Sequence, residues 1–102
     1  MSYIIVFKEQ AKENIAIATQ WYENRRVGLG NKLLKELNKA IEQLHKNPNI
    51  YQIRRKNIRL ALLQQFPYLM VYEIIEKQVI IYNVLHTHRH PKKRQSNPSR
   101  QK

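Results

Sequence analysis

Arg59 is the single charge inside the apolar run Ile58-Arg59-Leu60-Ala61-Leu62-Leu63. By strand alternation it shares a face with Ala61 and Leu63. A guanidinium there has two uses. It can grip a phosphate through two parallel hydrogen bonds, or it can run its aliphatic stem over apolar neighbours and reach water at a sheet rim. Farther along, His86-Thr87-His88-Arg89-His90 places three imidazoles at alternating positions. Imidazole suits zinc, copper or nickel. The chain has no Cys and no Asp to complete such a site, and Arg89, Lys92, Lys93 and Arg94 repel a cation. No metal and no cofactor is expected. Proton transfer is the better use of His86, because imidazole titrates near neutrality.

Together these residues point to one reaction. RNA is cleaved when a 2′-hydroxyl attacks the adjacent phosphate, which requires a base, a cation beside the crowded phosphorane and an acid for the leaving oxygen. His86 would move the protons, and Arg59 and Arg89 would supply the charge. Arg54, Arg55 and Lys56 would hold the backbone, and Tyr72 or Tyr82 would stack a base. Such an enzyme would be a metal-independent endoribonuclease. Basic sheets carrying one histidine also serve plain binding, so the residues leave catalysis open.

The charge balance favours anionic partners. Across 102 residues, Lys+Arg 19 against Asp+Glu 7 gives a net charge of +12. Residues 1–50 hold 8 basic residues and 5 Glu, a balance of +3, while residues 51–102 hold 11 and 2, a balance of +9. That asymmetry favours nucleic acid or an acidic protein segment over an inert solvated surface. Hydrophobic residues at 42% and charged residues at 25% are ordinary for a globular domain. Cys 0 excludes disulfides and thiol chemistry. The apolar start Tyr3–Phe7 is too short for a secretory signal, and no run reaches the ~20 apolar residues of a membrane helix. A cytoplasmic protein without membrane contact is expected.

The elements that must position these residues follow from periodicity. Tyr3–Phe7 reads as a strand. Ala11, Ile15, Ala18 and Tyr22 recur at helical spacing, with Ile17 and Trp21 flanking, and basic Arg25-Arg26 suits the helix end. Gly28-Leu29-Gly30 holds both glycines and reads as the turn into a second helix. That helix carries Leu33, Leu37, Ile41 and Leu44 on one stripe, widened by Leu34 and Ala40, and stops at Asn47-Pro48-Asn49. Runs 58–63, 68–75 and 79–85 read as strands joined by hairpin-length links, with a weaker strand at 51–54. The expected fold is α+β: an N-terminal strand and a two-helix hairpin packed on a mostly antiparallel sheet of four to five strands. Residues 1–91 form the domain, and 92–102 a basic tail with little to bury.

Several segments in this order resemble the RelE/ParE superfamily of bacterial toxins. They are Trp21-Tyr22-Glu23, Gly28-Leu29-Gly30, Asn47-Pro48 with Tyr51, Arg59, Phe66-Pro67-Tyr68 through Tyr72, and Val84-Leu85-His86-Thr87-His88-Arg89-His90-Pro91. The proline-tyrosine strand start and the terminal His-x-x-Arg-x-Pro resemble the plasmid-stabilisation, ParE-like branch. The resemblance implies the same fold, and the toxin half of a type II toxin–antitoxin module neutralised by a cognate acidic antitoxin. It implies one of two targets: DNA gyrase for the ParE-like branch, or ribosome-bound mRNA for RelE-like mRNA interferases. Arg59 matches the strand arginine that RNA-cleaving members place at the scissile phosphate, and His86 and Arg89 lie where those members carry late-strand groups. The chain lacks a glutamate between Tyr51 and Gln65 and an aromatic after His90, both used by some RNA-cleaving relatives. The pattern is therefore closer to the gyrase-directed branch. A mRNA endoribonuclease and a non-catalytic RNA-binding domain are the alternatives.

Overall fold

β-branched and aromatic residues open the chain as strand β1 (Ile4–Phe7), and the pattern then switches to helical spacing in α1 (Glu9–Arg25). The structure, a computed structural model, describes residues 2–88. At the end of α1 the Arg25 guanidinium lies 4.1 Å from the centre of the Trp21 ring, a cation–π contact on the last turn. Helix α2 (Leu29–Lys46) follows at once. Gly28 turns the chain at φ +93°, a left-handed conformation that a Cβ disfavours. Glu23 then reaches across from α1, and its carboxylate accepts the backbone N–H groups of Gly28 and Gly30 at 3.1–3.2 Å. A side chain of the first helix thus caps the unpaired donors of the second.

Gly30 lies inside α2 and not in the interhelical turn. A Cβ there would stand 2.8 Å from the Thr19 carbonyl oxygen of α1, so the glycine sets how closely the two helices approach. The apolar stripe of α2 buries Leu33, Leu37 and Leu44, each worth about 1.5–3 kcal/mol of transfer free energy. Ile41 is half-buried. Leu34 sits off the stripe and stays exposed, as does Ile17 of α1. Pro48 ends α2, and Pro48–Ile50 makes a single 3-10 turn in which the Asn47 side chain accepts the Asn49 N–H.

The sheet is completed by β2 (Ile53–Arg55), β3 (Ile58–Leu62), β4 (Tyr68–Ile75) and β5 (Gln78–His86). Strand order is β1-β5-β4-β3-β2. The links between β2, β3, β4 and β5 are short, so those pairings are antiparallel, whereas β1 precedes the helical hairpin and pairs parallel to β5. The fold is α+β, two helices on an open five-stranded mixed sheet. Ala11 and Ala18 of α1 and the leucines of α2 cover Ala61, Met70, Tyr72, Val79, Ile81 and Val84 on one sheet face. A bulge at Val71/Tyr72 shifts the β4–β5 register. Near it, Asn83 accepts a hydrogen bond from Asn14 of α1 at 2.5 Å.

Candidate functional site

Arg59 stands in β3 opposite Tyr72 of β4, on the face that also carries buried Ala61 and Leu63. Its guanidinium is already engaged. Nη1 donates to the Tyr51 carbonyl, and Nη2 donates to Asn49 Oδ1 at 3.2 Å. The arginine therefore ties the segment after α2 to the sheet. Beneath it, Tyr72 is fully buried and donates its hydroxyl to the Pro48 carbonyl at 2.7 Å. Burial pushes the Tyr72 phenol up to about 12, against the opposing pull of the Arg59 charge, and Tyr51 raises it slightly further. Two side chains from adjacent strands thus hold one short stretch, Pro48–Tyr51.

Tyr72 offers no ring to a nucleobase, because the closed core surrounds it. The expectation that it stacks a base is corrected by this burial. Tyr82 is half-exposed and donates to Glu73 Oε1 at 2.8 Å, a bond that raises its pKa by holding the proton on the phenol. Arg54 and Arg55 lie exposed on the edge strand β2, and Lys56 forms the turn after it with φ +53°. All three are open to an anionic partner.

His86 ends β5 opposite Tyr68, whose ring meets the imidazole edge-on at 5.0 Å. Nδ1 of His86 accepts the His88 backbone N–H at 2.9 Å, which leaves Nε2 to carry the proton of the neutral ring. Thr87 is held by its N–H to the Pro67 carbonyl at 2.8 Å. Arg59 and His86 share a face but not a site. They stand two strands apart and four residue steps apart along β4, roughly 16 Å between backbones at ordinary sheet spacings. Arg89, Lys92, Lys93 and Arg94, together with the tail expected at 92–102, lie outside the described residues. Among the described residues no group of His, Cys, Asp or Glu is arranged to hold a metal ion, and no helix is long and apolar enough to cross a membrane.

The site thus sits on a helical hairpin laid on a mixed five-stranded sheet, with β1 beside β5 at one edge and the basic strand β2 at the other. The family model described as the ParE toxin of the type II toxin–antitoxin system, parDE, matches residues 5–91, and the chain belongs to that family. Solved structures agree on the fold. A toxin–antitoxin chain of the chromosomal ParDE system from P. aeruginosa superposes with a TM-score of 0.74 at 12% identity, covering 85% of this chain and 98% of that one. The intact E. coli RelBE toxin–antitoxin complex gives 0.67 at 22% identity, with 86% and 100% covered. A RelBE complex from Mycobacterium tuberculosis gives 0.61 at 16% identity, with 84% and 99% covered. No curated protein matches the sequence.

Proposed function

We propose that this toxin acts in the ParE-like manner: it occupies a surface of DNA gyrase, blocks replication, and is silenced by a cognate antitoxin whose acidic segment covers its basic face. The observation that carries this reading is the separation of Arg59 from His86, with the Arg59 guanidinium committed to Tyr51 and Asn49. Cleavage of RNA needs cation and proton carrier on one phosphate. A surface blocker has no such requirement, and the exposed Arg54, Arg55 and Lys56 supply it with charge. The net charge of +12 favours an acidic antitoxin segment that folds as it binds.

The RelE-like reading, a ribosome-associated mRNA endoribonuclease, draws on one specific observation. The His86 ring is oriented by the His88 N–H donated to its Nδ1, and the imidazolium form of such a ring would serve as the general acid. Induction in a bacterial host separates the two. Arrest of DNA synthesis before protein synthesis, reversed by co-expressing the neighbouring reading frame, is the outcome expected here. Prompt arrest of protein synthesis with replication continuing would favour the nuclease.

A further inference from the structure

A groove lies between the second helix and the sheet, lined from both halves of the sequence. It is a cavity of about 480 Å³ between α2 and the connection from β3 to β4. Lys32, Lys35 and Lys39 line one side at i, i+3 and i+7, so their stems stand on one helix face over about 10 Å. Tyr51 forms part of the wall, and Gln43, Gln64 and Gln65 contribute amides.

The electrostatics of this groove are unusual for a helix so rich in both signs. Glu36 is the one carboxylate lining it, and that side chain is turned to the loop: Oε2 accepts the backbone N–H groups of Gln64 at 2.6 Å and Gln65 at 2.9 Å. Glu36 thereby shapes the groove floor. Among the described residues none of the three lysines has a carboxylate within ion-pair distance. Unpaired ammonium groups in a row beside an aromatic wall are the features that bind a single strand: cations track the phosphates and the ring takes a base. Side-chain amides can then pair with base edges. An acidic helix would need a continuous apolar stripe to dock on, and Leu62 is the only strongly exposed apolar side chain lining the groove.

We propose that the groove between α2 and the β3–β4 connection binds single-stranded nucleic acid, with Lys32, Lys35 and Lys39 on phosphates and Tyr51 against a base. This site goes beyond the gyrase reading and stands whichever target that reading is tested against. The full-length protein is titrated with a short fluorescein-labelled single strand, RNA in one arm and DNA in the other, across a range of salt. Replacing Lys32, Lys35 and Lys39 together by Gln should weaken binding about tenfold or more. It should also flatten the log K against log salt slope by about 2, since each phosphate contact contributes roughly 0.7. Gln keeps helix propensity close to that of Lys, so the melting temperature should hold. Removing the same number of charges from Lys8, Lys12 and Arg26 should leave the slope nearly unchanged. Tyr51→Leu should cost roughly fivefold or more in affinity with the slope intact. Equal losses from both triple variants would overturn the site, as would tighter binding of a poly-glutamate peptide that depends on the same three lysines.

Discussion

Arg59 and Tyr72 face each other across β3 and β4 and reach for the same stretch of chain, Arg59 through Tyr51 and Asn49 and Tyr72 through Pro48. One is charged and half-buried, the other neutral and fully buried. The pair pins the exit of α2 to the sheet centre, and it makes Arg59 an anchor before it is anything else.

Arg59→Ala should therefore lower stability by about 1–3 kcal/mol, the range for hydrogen bonds from a charged donor. At this size that is a fall of several degrees in melting temperature. Arg59→Lys keeps the charge but not the fork, and should recover less than half of the loss. An Arg59→Ala protein that melts like wild type while losing toxicity would place the arginine's main role at the target instead.

Tyr72 predicts an alkaline signature. Its folded pKa is raised to about 12 from 10.0, so the native state holds this proton more tightly than the unfolded chain. The resulting stabilisation is present in full below pH 10 and is lost as pH climbs towards 12, on the order of 3 kcal/mol in all. Tyr72→Phe removes that dependence. Below pH 10 the variant should be about 1 kcal/mol less stable, because the Pro48 carbonyl loses its donor. Denaturant titrations should show the gap between the two proteins closing above pH 10 and reversing before pH 12. A constant gap from pH 8 to 12 would contradict the assignment.

Gly30 and Gly28 should respond to Ala in different ways. At Gly30 the new Cβ meets the Thr19 carbonyl oxygen at 2.8 Å, a backbone atom that moves only if the helices part. The expected loss is about 1–3 kcal/mol. At Gly28 nothing lies within 4 Å, and the cost is that of holding φ +93° with a side chain, about 1 kcal/mol. Thermal melts of the two variants test this order.

The elements were legible because their periodicities are clean: the leucine stripe of α2 and the hairpin-length links of β3, β4 and β5 leave little choice. Other features depend on contacts that no local pattern encodes. Tyr68, Met70 and Tyr72 alternate with Leu69 and Val71, so both faces of β4 look apolar and alternation alone cannot say which one the helices cover. Tyr72 was for that reason open to a stacking role that its burial denies. Gly30 looked like turn chemistry because helix–helix distance is a tertiary property. The partners of Arg59 lie eight and ten residues earlier, in an irregular segment whose path is set by the end of α2. The lysines at 32, 35 and 39 stand at helical spacing in the sequence, but a groove needs a second wall. That wall comes from residues 62–65 and Tyr51.

The proposed action on gyrase is tested most directly by two assays on one pair of proteins, wild type and His86→Gln. Gln preserves size and polarity but cannot exchange a proton at neutral pH, so it would reduce a nuclease that uses His86 by about 10²–10⁴-fold. The account predicts blocked gyrase supercoiling with both proteins, at similar concentrations, and uncut cellular mRNA by primer extension. Cleaved mRNA with wild type that disappears in His86→Gln, with supercoiling untouched by either, would contradict it.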